Sequence, residues 1–126
     1  KLKAYYNNKK LEDQNEKVNK SIEITFVFCS DDSLLKINQD FLDHDYYTDI
    51  ITFPIEEDDK HLEAEVYISV DRVKENAENL AKEFTNELHR VIIHGVLHLC
   101  GYPDKSNEEA KIMREKEDFY LKSSGL

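Results

Sequence analysis

Hydrophobic and polar residues alternate from Ser21 to Cys29, with Ile22, Ile24, Phe26 and Phe28 on one face. That period of two, in β-branched and aromatic residues, predicts a strand. Ser30-Asp31-Asp32 offers N-cap oxygens, and Leu34, Leu35, Ile37, Phe41 and Leu42 recur at helical spacing, so a helix is predicted over about 32–42. Asp43 to Asp49 is polar and aromatic without a period and reads as an ordered loop before a strand at Ile50–Pro54. Glu56 to Leu62 is charged and reads as an exposed loop, and Glu63–Ser69 alternates again through Ala64, Val66 and Ile68. Ser69 or Asp71 then caps a helix whose stripe is Val73, Ala77, Leu80, Ala81 and Phe84. A helix opening at Thr85 places Leu88, Val91, Ile92, Val96 and Leu99 inward. A last helix from Ser106-Asn107-Glu108-Glu109 to about Lys122 is expected to bury Ala110, Ile112, Met113, Phe119 and Tyr120. In residues 1–20, Leu2, Leu11 and Val18 are sparse, and a short helix is expected within 10–20. Strand–helix–strand–strand–helix–helix–helix predicts an α+β, or mixed α/β, layered fold.

One stretch breaks the polar pattern. Over a third of the chain is charged, yet Val91 to Pro103 holds no Lys, Arg, Asp or Glu. Such a segment belongs inside, and it carries His94 and His98. Four residues apart on a helix, these imidazoles project from one face about one turn from each other. Gly101 suits the left-handed residue that ends a helix, and Pro103 prevents it from resuming. Asp104 follows. Two imidazoles and a carboxylate, with a position left for water, form the donor pattern of a catalytic zinc site. A structural site would call for more thiolate than Cys29 and Cys100 offer, because Cys100 points away from the histidine face. Gly95 stands where the zinc-protease helix has its general-base Glu, which disfavours ordinary peptide hydrolysis. The plain alternative is a pair of core histidines with no ligand at all.

Composition narrows the reading. A chain of 126 residues predicts one domain, 1–126. No apolar run approaches the roughly 20 residues that cross a membrane, and no basic-then-apolar leader suggests export. The chain begins at Lys1, so its natural start is expected upstream. Two cysteines without a framework pattern fit a reducing cytoplasm. The net charge of −10 argues against a broad nucleic-acid surface, since phosphates are met by Lys and Arg. The charge is uneven: residues 1–20 carry six Lys against three acids, and the remainder carries eleven basic and twenty-four acidic residues. The Lys cluster reads either as an RNA-tracking patch or as a solvated surface.

His94-Gly95-x-Leu97-His98-Leu99-x-Gly101-Tyr102 resembles the YbeY family, bacterial metal-dependent endoribonucleases of ribosomal RNA maturation. The family motif continues Asp-His, and its three histidines bind zinc; here Pro103 and Asp104 take those places. Thr48-Asp49-Ile50-Ile51-Thr52-Phe53-Pro54 is similar to a second family stretch, and Leu42 stands where the family has an Arg thought to handle substrate phosphate. The resemblance implies a small, mainly parallel sheet with one antiparallel strand, packed against about four to five helices that include a central metal-binding one. It implies Zn²⁺ on His94, His98 and Asp104. It also implies single-stranded RNA, the ribosomal RNA precursor, as substrate, in 16S 3′-end maturation and ribosome quality control alongside the small subunit and assembly factors. His44 and Glu65 are the candidates for the acid–base role. Two rivals stay open: a metallohydrolase of a small substrate, and a non-catalytic assembly factor whose metal is structural.

Overall fold

The computed structural model describes residues 2–7 and 21–124. Four strands, β1 (Leu2–Asn7), β2 (Ser21–Cys29), β3 (Ile50–Glu57) and β4 (His61–Ser69), form one sheet in the order β1-β2-β4-β3. Four helices accompany it: α1 (Asp31–Leu42), α2 (Val70–Asn79), α3 (Phe84–Leu99) and α4 (Asn107–Ser124). The α+β expectation holds. Within it, the sheet is less parallel than expected, because only β2–β4 pair parallel while β1–β2 and β3–β4 pair antiparallel.

Alternation sets the faces. Leu62, Ala64, Val66 and Ile68 of β4 lie beside Ile22, Ile24, Phe26 and Phe28 of β2 in register. With Val73 of α2 and Val91 and Val96 of α3, most of these residues form the main apolar cluster. On the second side of α3, Ile93 and Leu97 pack on Met113 of α4. Because α3 is covered on two sides, its apolar residues cannot be confined to one narrow stripe, which explains the charge-free run. Truncating a fully buried member such as Ile24 or Leu97 to Ala would cost roughly 2–5 kcal/mol.

The element starts follow their caps. Ser30 accepts from Ser33 N at 3.1 Å, with Asp31 and Asp32 in the first turn of α1. Ser69 does the same for Arg72 N at 3.1 Å at the head of α2. At α4, Ser106 Oγ accepts from Glu109 N while Glu109 Oε1 accepts from Ser106 N, a capping box.

Four sequence expectations are corrected. The charged connection at 56–62 is mostly strand: β3 continues to Glu57, β4 begins at His61, and the chain turns through Asp58, whose Oδ1 accepts from Lys60 N and His61 N. The stripe drawn through Leu80, Ala81 and Phe84 is two helices, because Ala81 takes a left-handed φ of 54° and ends α2 with Leu80 53% exposed. The inward face of α4 is Met113, Glu117 and half-buried Tyr120 and Leu121, whereas Ala110, Ile112 and Phe119 are exposed. β1 is an edge strand in a segment whose apolar positions gave no period. The helix expected within 10–20, and most of the Lys cluster, lie outside the described residues.

Candidate metal centre

Helix α3 is the scaffold of the site. It opens after Glu83, which makes no side-chain cap, and runs sixteen residues to Leu99. It sits close on the sheet at Gly95: a Cβ there would stand 2.6 Å from Ile50 Cδ1 and 3.6 Å from Thr52 Cγ2 and Val66 Cγ1. The helix ends where Tyr102 N bonds back to Leu97 O at 3.1 Å, around Gly101 with φ of 101°. An L side chain at that φ costs roughly 1–2 kcal/mol, so glycine belongs there. The reversal, held by half-buried Tyr102 against Ile93, Leu97 and Met113, carries Asp104 back over the histidine face.

His94, His98 and Asp104 offer one ligand atom each, all within 4.8 Å of one another. His94 Nε2 and His98 Nε2 each stand 3.3 Å from the same Asp104 Oδ2. That is long for a charge-assisted hydrogen bond, about 2.7–2.9 Å. It matches the edge of a tetrahedron: donors about 2.0–2.1 Å from a shared Zn²⁺ stand about 3.3–3.4 Å apart. The rings cross at 85° with centroids 4.5 Å apart, so the two nitrogens converge without stacking. All three residues are partly exposed, at 26%, 31% and 36% of their side chains, which leaves the group open to solvent on one side. The donor types, spacing and openness fit a catalytic-type metal site.

Behind the ligands lies a shell that the sequence reading missed. His94 Nδ1 donates to Glu117 Oε2 at 2.6 Å, which fixes the tautomer and leaves Nε2 free for a metal. Arg90 Nη1 donates to Glu117 Oε1 at 2.9 Å, and its Nη2 to Asp118 at 2.7 Å. Burial opposes the charged form of His94, yet the Glu117 hydrogen bond and charge, with Asp104 and Asp49, outweigh it and hold its pKa above the usual value. Burial likewise pushes Glu117 up, but hydrogen bonds from His94 and Arg90 win and hold it below the usual range. Two of these partners had a signal in the sequence: Arg90 precedes His94 by four residues on the same helical face, and Glu117 sits four residues after Met113 on the inward stripe of α4.

From the His-His-Asp group a groove runs between α3 and α4. It encloses 240 Å³, with Glu87, Arg90 and His94 on one wall, Met113, Arg114 and Glu117 on the other, and Asp49 and Asp104 on its lining. Burial raises the pKa of Asp49, and His94, the backbone N–H groups and Arg72 only partly offset it. Asn76 Nδ2 holds its Oδ2 at 3.3 Å.

The other two sequence candidates lie elsewhere. His44 is in the exposed loop after α1, stacked on Tyr46 and joined to its hydroxyl at 3.0 Å. Glu65 accepts from Tyr67 Oη at 2.9 Å, on the sheet face opposite Val66 and so opposite α3. The structure brings neither into the cluster with His94, His98 and Asp104.

The arrangement is that of a small α+β protein with an open His-His-Asp group, able to hold a metal ion, beside a groove. A family model described as Endoribonuclease YbeY matches residues 3–125. A protein called Endoribonuclease YbeY from Cytophaga hutchinsonii is 54% identical over 100 residues, covering 79% of this chain and 70% of its own. One of the same name from Flavobacterium psychrophilum is 50% identical over 100 residues, covering 79% and 71%. The solution structure of TM1509 from Thermotoga maritima superposes with a TM-score of 0.54 at 34% identity, covering 78% of this chain and 65% of that one. The chain belongs to the YbeY endoribonuclease family.

Proposed function

We propose that this protein is a zinc-dependent endoribonuclease that cuts single-stranded RNA in ribosomal RNA maturation, at the 16S 3′ end. The observation that carries the reading is the convergence of His94 Nε2 and His98 Nε2 on Asp104 Oδ2, each at 3.3 Å, beside an open groove. His94, His98 and Asp104 would hold a divalent cation, which would supply Lewis acidity toward a phosphodiester and toward a water. Family membership supports the reaction class, and the two-nitrogen, one-oxygen donor set supports zinc.

The chain's own groups divide the remaining tasks. Glu117 holds the His94 ring by its Nδ1 proton, and Arg90 holds Glu117. Arg114, on the groove wall and without a hydrogen bond or ion pair among the described residues, is a cation for the substrate phosphate in a chain that has Leu42 at the family Arg position. Cytoplasmic placement fits the free thiols of Cys29 and Cys100, and no described helix is long and apolar enough to cross a membrane. The precursor RNA, the small subunit and its assembly factors are the partners this reading requires.

A second reading, a non-catalytic assembly factor with a structural metal, is favoured by Leu42 alone. Cleavage of a single-stranded RNA with and without chelator, beside identically prepared His98→Ala, separates the two. Cutting that chelation stops and the variant lacks supports the nuclease. Identical behaviour of wild type and variant, together with a large chelator-induced fall in melting temperature, supports the structural metal.

A further inference from the structure

The inner end of the groove holds two polar atoms with nothing to bind. Glu87 is 6% exposed, and its Oε1 has no hydrogen-bond partner. The Nε of Arg90 is likewise buried without a partner, while its two terminal nitrogens are committed to Glu117 and Asp118. A buried polar atom left unpaired costs roughly 1–3 kcal/mol, and native interiors hold few of them. Here an orphan acceptor and an orphan donor belong to residues three apart on one helix, and both residues line the same 240 Å³ cavity.

The position is as informative as the chemistry. Glu87 precedes His94 by two helical turns, about 10 Å along the axis. It is therefore too far to assist a metal at His94, His98 and Asp104. A nucleotide whose phosphate stands at the His94 end can lay its base there, and single-stranded RNA is read through such splayed bases. Val91 and Met113 line the groove between the two ends and offer apolar surface to the faces of a ring.

We propose that this inner end is a nucleobase subsite for a guanine next to the scissile phosphate, read by Glu87 and Arg90. This rests on the endoribonuclease reading above. Burial raises the pKa of Glu87 and the Arg90 charge opposes that shift; in its ionised form the carboxylate only accepts, and guanine presents two adjacent donors, N1–H and the N2 amine. The neighbouring O6 is an acceptor for the Arg90 Nε–H. Adenine offers a single amine on that edge, and uracil places acceptors on both sides of its one imino donor.

The test is fluorescence anisotropy on the full chain, with and without added Zn²⁺. The probes are short labelled oligouridine strands carrying one central guanine, inosine, adenine or uridine. Inosine keeps N1–H and O6 but lacks the N2 amine. The guanine strand is expected to bind roughly 10-fold or more tighter than the inosine and adenine strands. Glu87→Gln is expected to bring the guanine and inosine strands to equal affinity. Comparing the four strands on wild-type protein needs no variant to fold. Equal affinities would mean that the inner end holds only solvent; the subsite is then wrong, and RNA cleavage abolished by His98→Ala would still support the nuclease. No binding to any strand, with wild type and His98→Ala equally inert, would overturn both.

Discussion

The two ends of the groove are built from the same residue types to opposite standards. At the metal end His94, Glu117, the terminal nitrogens of Arg90 and Asp118 form a continuous chain in which the reactive ring is held at 2.6 Å and the second carboxylate oxygen of Glu117 is held at 2.9 Å, while the Arg90 Nε, on the side of the inner end, stays unpaired. At the inner end Glu87, buried as deeply as Glu117, has an oxygen that nothing holds. A buried carboxylate with every oxygen paired fixes geometry, whereas one left unpaired is kept at a cost in stability. The difference separates a part that positions from a part that waits for a ligand.

The sharpest way to break the comparison is to remove a ligand. His98→Ala should lower zinc affinity by more than about 100-fold, beyond what losing an outer partner costs, as read by competition with a chromophoric chelator. A variant that keeps wild-type affinity would remove His98 from the site. Next comes the same substitution at the two buried acids. Glu117→Met strands the His94 Nδ1 proton and one Arg90 nitrogen, so it should destabilise the fold by about 3 kcal/mol and weaken zinc roughly 10- to 100-fold. Glu87→Met removes an acceptor that had no partner and should stabilise the metal-free protein by about 1 kcal/mol in urea denaturation. If both substitutions destabilise alike, the inner end is as fully paired as the metal end and the contrast is lost.

The paired end also predicts a pH dependence. His94 has a raised pKa, so its ionic contribution to stability is complete below about 6.5 and is lost as pH rises through the raised value. Glu117 has a lowered pKa, so its contribution is complete above about 4.5 and is lost as pH falls through the lowered value. Metal-free protein should therefore be most stable between about pH 4.5 and 6.5 and decline above that. A metal takes the neutral ring, so the rise in melting temperature on adding zinc should grow from pH 6 to pH 8. A zinc shift that is flat across this range would mean that His94 is not a ligand.

How much of this was legible in the sequence differs between the same two ends. The metal end is local: His94, His98, Gly101 and Asp104 lie within eleven residues, and helix periodicity with a glycine stop is enough to bring them together. Glu117 comes from another helix, and its burial contradicts the rule that acids face water; reading the inward stripe of α4 through Ile112 and Phe119 followed from trusting that rule. The groove needs Asp49, Glu87 and Met113 from three parts of the chain at once, which no spacing encodes. His44 was drawn in as a basic residue two positions after Leu42, and Glu65 as an acid on a strand taken to face the cleft. The alternation of β4, once Val66 is known to meet α3, already puts Glu65 on the other face.

The smallest expected effect tests how rigidly the metal end is seated. At Gly95 an added methyl meets the Ile50 Cδ1 at 2.6 Å, but that atom is the tip of a side chain that can rotate, and the other two neighbours stand at ordinary contact distance. Replacing a mid-helix glycine by alanine gains about 1 kcal/mol of helix propensity. Gly95→Ala should therefore change stability by less than about 1 kcal/mol, the repacking of Ile50 offsetting the gain. Zinc affinity should stay within about 3-fold of wild type, because Glu117 holds the His94 ring from the side away from the sheet and the α3–α4 contact does not pass through Gly95. A fall in affinity as large as that of Glu117→Met would show instead that the close seat of α3 on β3 and β4 sets the ligand geometry, and that the hydrogen-bonded chain behind His94 only follows it.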